Sequence, residues 1–128
     1  MNCPEELKYV KSHEWIREEG ETAVIGITDF AQEALGDLVF INLPEVGDEV
    51  RIGEVFADVE SVKAVSDVYS PVTGIIKEIN EELIDHPEQV NQDPYGAWMI
   101  KVEAIQEKEE FMDCDAYMEF LETDEAQA

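Results

Sequence analysis

Basic residues are what this sequence has least of. Eight Lys and Arg stand against 32 Asp and Glu in 128 residues, for a net charge of −24. Such a surface repels the phosphates of DNA and RNA and is ill suited to anionic membrane. It favours solubility and steering toward partners with basic docking surfaces. Histidine is equally sparse, and His13 and His86 lack ligand spacing, which argues against a zinc site. Cys3 and Cys114 sit near opposite ends in no CxxC pattern and read as two unpaired thiols in a reducing compartment. No apolar run approaches membrane-spanning length. The start, "MNCPEELKYV", has no basic stretch followed by an apolar one, nor the Arg and Ser richness of a transit peptide. The expectation is a soluble cytoplasmic protein.

What is present is a succession of short β-rich runs in a chain that is 45% hydrophobic. "HEWIREEGETAVIGIT" reads as a hairpin, with Trp15 and Ile16 on one side of the turn and Thr22 to Ile27 on the other. In "TDFAQEALGD", Thr28 or Asp29 can cap a short helix whose Phe30, Ala34 and Leu35 share a face and which Gly36 closes. "LVFINL" is a strand, followed by Pro44 and a turn at Gly47-Asp48. Strands are expected around 49–52, 55–60, 66–70 and 75–79, broken at Gly53, at the Lys63 region and at Pro71 to Gly74. "AWMIKVEA" adds another. From about 105, Phe111, Cys114, Met118 and Leu121 recur at helical spacing, with Asp113 as a cap and "TDEAQA" as an acidic end. Trp15, Trp98 and Phe40 are expected in the core. "VGDEVRIGEVFADVES" and "VTGIIKEINEE" form a weak internal repeat, each with a glycine turn before β-rich residues. Many short strands with frequent turns predict a mainly β sandwich or barrel, with no linker or domain boundary.

One of the few lysines lies in "ESVKAVSDVYSPVTG", in the short link between two expected strands. A lysine at a hairpin tip projects on a long, flexible stem. By pattern alone that is an ordinary surface lysine. The stretch, however, resembles the attachment site of lipoyl- and biotinyl-carrier domains, with Gly47-Asp48-Glu49-Val50 and Gly74 as the flanking turns around Lys63. Biotin carriers have methionines beside the lysine, where this chain has Val62 and Ala64. Lipoyl domains of the 2-oxoacid dehydrogenases usually have an aspartate where this chain has Val62. "ESVKA" with "SDVYSPVTG" is similar to the H proteins of the glycine cleavage system. So are "LKYVKSHEW", "IGITDFAQEALGDLVFINLPEVG" and "PEQVNQDPYGAWMIKV", in that order. The resemblance is close over residues 7 to 103 and loose in the acidic tail. In "PYGAW" a single Gly96 stands where the family usually has two residues, which bears on the geometry of that loop.

The resemblance implies a lipoyl/biotinyl-carrier-like β-sandwich, or barrel-sandwich hybrid, with a short internal helix and C-terminal helices, as one domain over residues 1–128. It implies a monomeric carrier and not a catalyst. Lipoate amide-linked to Lys63 would carry the aminomethyl group of glycine among three enzymes. These are a pyridoxal-phosphate glycine decarboxylase, a tetrahydrofolate-dependent aminomethyltransferase and dihydrolipoyl dehydrogenase, which reoxidises the dithiol. A lipoate-attaching enzyme is a fourth partner, and Glu60, three residues before Lys63, is a candidate recognition cue for it. The resemblance also implies that Glu14 and Asp67, which match acids of the family, would hold the cationic amine in a cleft that shields it from water. By composition alone either would be a solvated carboxylate.

Three other readings compete. One is an H-like relay that donates lipoate to other complexes, which needs the same lysine. Another is an unmodified acidic binding module. The third, an enzyme with Lys63 as a Schiff-base nucleophile, is disfavoured because Asp58, Glu60 and Asp67 flank the tip and stabilise a charged lysine.

Overall fold

A computed structural model describes residues 3–123. The chain folds into two antiparallel sheets packed face to face. The strands are β1 (Lys8–Tyr9), β2 (Glu14–Glu19), β3 (Thr22–Ile27), β4 (Leu38–Asn42), β5 (Glu49–Val50), β6 (Val55–Ser61), β7 (Val65–Tyr69), β8 (Val72–Ile79) and β9 (Ile100–Lys108). The larger sheet runs β1-β2-β3-β9-β8-β5 and the smaller runs β4-β6-β7. The helices are α1 (Asp29–Leu35), α2 (Glu82–Asp85), α3 (Gln89–Gln92) and α4 (Cys114–Leu121). The expected sandwich, the first hairpin and the capped helix are all present. Thr28 caps α1 through its hydroxyl, which accepts from Ala31 N, and Gly36 ends it at φ +80°.

Strand alternation divides the apolar residues between two cores. In β2 and β3, Ile16, Ala23, Ile25 and Ile27 face the inner core with Ile41, Val59 and Val68 of the smaller sheet. Trp15 and Val24 point to the opposite face, where Leu7, Tyr9 and the α4 residues Tyr117, Phe120 and Leu121 cover them. Both faces of the larger sheet are thus dry near β2, which sets the environment of anything that strand presents.

Several expectations are corrected. Phe40 is 45% exposed because a register shift between Leu38 and Phe40 leaves Leu38 and Ile41 facing inward and turns Phe40 out. Trp98 is half-buried and packs under the Lys101 ammonium, 4.8 Å from the ring centroid. In α1 it is Ala31, with Leu35, that packs on the inner core, and Ala34 is exposed. β8 begins at Val72, so Gly74 lies inside a strand and not in a turn. β9 continues to Lys108, and Phe111 precedes the last helix. The buried face of α4 is Tyr117, Phe120 and Leu121, because that face meets Tyr9 and Trp15; Met118 points away. The halves of the weak repeat do not form equivalent units: β5 and β8 pair in the larger sheet, whereas β6 belongs to the smaller one. The short helices α2 and α3 carried no sequence signal. Residues 124–128, most of the expected acidic end, lie outside the described residues.

Candidate functional site

Lys63 stands at the tip of the β6–β7 hairpin. The tip is built by Ser61, whose buried hydroxyl accepts from the amides of Lys63 (3.3 Å) and Ala64 (3.0 Å) and donates to the Ala64 carbonyl at 3.2 Å. The backbone closes the same turn, Ser61 N donating to Ala64 O at 2.8 Å. The tip leans on the end of α1: Val62 N donates to Asp37 O at 3.3 Å. A Cβ on Gly36 would stand 3.5 Å from Lys63 Cε, so the lysine stem passes over the bare backbone of that glycine. Asn91 of α3 holds this corner from beneath. Its amide donates to Gly36 O (2.9 Å) and Gln32 Oε1 (3.0 Å), and its carbonyl accepts from Leu38 N (2.9 Å).

Around the tip, register places Phe40, Glu60 and Val65 in one row and Asn42, Asp58 and Asp67 in the next. This is the outward face of the smaller sheet. Glu60 and Asp67 are exposed there, as are Val62 and Val65 at 74% and 65%. Lys63 is exposed and forms no ion pair among the described residues.

Glu14 is in the opposite situation. Alternation along β2 puts it on the same face as Ile16, opposite Ile27, so its side chain enters the sandwich and is only 2% exposed. Its oxygens accept from the Ser12 hydroxyl and, at 3.5 Å, from the Tyr69 amide of β7. Burial pushes its carboxyl up from the ordinary 4.5 to about 8. The bonds from Ser12 and Tyr69 act the other way, and the charge of Glu109 adds to the rise. Glu109 is half-buried and is itself raised by burial; its amide donates to Pro71 O at 2.8 Å, which keeps it beside the β7–β8 link. No ion pair reaches Glu14 among the described residues. A buried carboxyl with no ion pair among the described residues is one that a small cation brought beside it would hold ionised.

The approach to Glu14 is fixed from the second core. His13, at φ +72°, turns the chain into β2, and its carbonyl accepts from Thr28 N at 3.0 Å. The Tyr117 hydroxyl lies 2.9 Å from His13 Nδ1 and 2.8 Å from Thr28 Oγ1, and its ring stacks on Tyr9 at 4.8 Å. One hydroxyl of α4 therefore ties the start of β2 to the N-cap of α1.

The four expected site residues separate into two groups. Lys63, Glu60 and Asp67 share the exposed hairpin, and Glu14 is buried beneath it. Among the described residues no hydrogen bond joins Asp67 to Glu14; the link is the Tyr69 amide, two residues further along β7. Sequence reasoning missed Ser12, Ser61, Asn91 and Tyr117. Only Ser12, two residues before Glu14, had a positional signal. The short "PYGAW" loop is closed by Asp93, whose carbonyl accepts from Gly96 N (3.2 Å) and Ala97 N (2.9 Å), while the Pro94 carbonyl accepts from the Trp15 indole at 3.0 Å.

Comparison with known proteins gives a consistent result. The model of the family described as glycine cleavage H-protein matches residues 7–124. A glycine cleavage system H protein from Lachnoclostridium phytofermentans is 60% identical over 122 residues, covering 94% of this chain and 96% of that protein. A probable glycine cleavage system H protein from Pyrococcus abyssi is 53% identical over 124 residues, covering 93% and 92%. The crystal structure of a glycine cleavage system H protein from Mycobacterium marinum superposes with a TM-score of 0.84 at 40% identity, covering 93% of this chain and 96% of that one.

Proposed function

Because the chain belongs to the glycine cleavage H-protein family, we propose that it acts as a single lipoyl-carrier domain whose arm is rooted at Lys63. It is a lipoyl carrier of the glycine cleavage system. The observation that carries the assignment of the root is the position of Lys63 on a turn stitched by Ser61 and seated on Gly36, with no ion pair among the described residues. Acylating this amine breaks no salt bridge and leaves the turn's own hydrogen bonds untouched. The apolar neighbours Val62 and Val65 give an acyl chain a surface to lie on. The residues thus fit a lipoyl group. When attached, its dithiolane supplies the redox and carrier chemistry for the aminomethyl cargo.

The chain's own residues then do two things. The hairpin presents Lys63 to partner enzymes, with Glu60 on its shoulder as a cue for the lipoate-attaching enzyme. Glu14 accepts hydrogen bonds from the ammonium of the cargo when the arm folds back, and the surrounding core keeps water away. Ser12 orients that carboxylate. Asp67, exposed on β7, adds negative charge along the approach. The partners of this reading are the pyridoxal-phosphate decarboxylase, the tetrahydrofolate-dependent aminomethyltransferase and dihydrolipoyl dehydrogenase, in the cytoplasm. No described helix is long and apolar enough to cross a membrane.

The test is a reconstituted cycle. Glycine-dependent carbon dioxide release by the decarboxylase should require the lipoylated chain and vanish with Lys63→Arg, whose fold should be intact by circular dichroism. Turnover supported by the Lys63→Arg chain would refute the assignment.

A further inference from the structure

The two cysteines are 111 positions apart, yet the fold lays one against the other. Cys114 Sγ donates to the Cys3 carbonyl at 2.9 Å, and Cys3 Sγ points back to the Cys114 carbonyl at 3.8 Å. Each thiol thus lies over the other's backbone, which brings the two residues within side-chain reach of one another; a disulfide spans about 4.4–6.8 Å between Cα atoms. The neighbouring segments are fixed. Leu7 and Tyr9 are buried against α4, and Tyr9 and Met112 exchange backbone hydrogen bonds at 2.8 and 2.7 Å. Neither thiol is sealed in: both are half-buried, and a cavity of about 250 Å³ lined by Glu5, Asp113, Cys114 and Asp115 opens beside α4.

We propose that Cys3 and Cys114 are a redox-modification site, closing to a reversible disulfide that latches the N-terminal segment onto α4, and that the oxidant is a small, cationic or neutral disulfide. The charge preference follows from the cavity, whose other three lining residues are all acids and repel an anionic disulfide. The exchange balances in two steps. The Cys3 thiol, after losing its proton, attacks RSSR, forming Cys3–S–S–R and releasing RSH. Cys114 then displaces the second RSH and forms the Cys3–Cys114 bond. The protein loses two electrons and two protons, and RSSR takes them up as two RSH. Burial first, then the hydrogen bond with Cys3, pushes the Cys114 thiol up to about 12, so Cys114 serves as the resolving group and closure is slow at neutral pH. Oxidation pins the helix whose Tyr117 hydroxyl meets His13 and Thr28.

The test treats the purified full chain with cystamine, and separately with oxidised glutathione at equal concentration. Cystamine should leave the protein lighter by two hydrogen atoms, with the two cysteine peptides linked after digestion. A latch closing so long a loop should raise the Tm by about 10 °C, reversed by dithiothreitol. Glutathione should act more slowly. Cys114→Ser should stop at a mixed adduct on Cys3, Cys3→Ser should form an adduct far more slowly, and neither should show a rise in Tm. Mixed adducts or interchain links that persist as the end product in the wild type, an internal link without a change in Tm, or faster closure with glutathione would each overturn the proposal.

Discussion

Replacing Glu14 by Gln should make the protein more stable and a worse carrier, and the stability gain should have a definite pH dependence. Glu14 titrates near 8 in the folded chain against an ordinary 4.5, chiefly because it is buried. Below pH 4.5 it is neutral in both folded and unfolded chains and contributes no difference. As pH rises above 4.5, the unfolded chain releases this proton and the folded chain keeps it, so folding is increasingly disfavoured until the folded carboxyl ionises near pH 8. Each pH unit in that window costs about 1.4 kcal/mol, so the penalty is about 1 kcal/mol at pH 5, about 3 at pH 7 and between 4 and 5 above pH 8. Glutamine is nearly isosteric: its carbonyl can accept from the Tyr69 amide while its NH2 donates to the Ser12 hydroxyl, and it carries no such penalty. Urea unfolding of both proteins at pH 5, 7 and 8.5 gives the difference directly. The other acids shift both curves alike and cancel. Glu14→Gln should gain about 4 kcal/mol relative to wild type between pH 5 and pH 8.5, order of magnitude. The same variant should take up lipoate normally and lose its aminomethyl cargo faster in the absence of tetrahydrofolate. A stability difference that does not grow with pH would refute the buried, uncompensated carboxyl.

Asp67→Asn should shorten the lifetime of the loaded carrier less than Glu14→Gln does, since Asp67 is exposed; an equal or larger effect would give it a direct contact with the amine. Gly74→Val should destabilise the fold by roughly 1–3 kcal/mol or more, because a Cβ there would lie 2.6 Å from both Glu103 O and Val102 Cγ1; an unchanged Tm would contradict that close approach. Gly36→Ala meets a φ of +80° and sits 3.5 Å from the Lys63 stem, so it should cost about 1–3 kcal/mol and slow lipoylation, measured by rate of lipoyl incorporation. Normal stability with a normal rate would remove Gly36 from the site.

The sequence announced the parts of the fold that repeat a strong local signal. Thr28 and Gly36 bracket α1 because a hydroxyl cap and a left-handed glycine are local devices. The strands from 49 to 79 were readable from their β-branched runs and turns. Phe40 and Met118 went astray because period alone does not say where a bulge reverses the facing of a strand, or which side of a helix meets the body of the protein. Gly74 was expected in a turn and lies inside β8. It matters because β9 passes too close for a side chain, a fact of sheet packing. In the site, the hairpin tip that presents Lys63 was readable from its two flanking strands, while the roles proposed for Lys63 and Glu14 come from family likeness. That Glu14 is dry while Asp67 is wet depends on which sheet face each strand presents, and that emerges only when the sheets pack. The meeting of Cys3 and Cys114 likewise depends on the chain ends crossing the same face of the larger sheet.

The central claim is that the carrier's arm grows from Lys63 alone. The most direct measurement is intact-mass and peptide-mapping spectrometry of the full chain after reaction with a lipoate-attaching enzyme and lipoate, wild type beside Lys63→Arg. The account predicts one lipoyl group per wild-type chain, mapped to Lys63, and none on the variant. Lipoate on Lys77 or Lys101, a lipoylated variant, or a wild-type lysine that stays bare would contradict it.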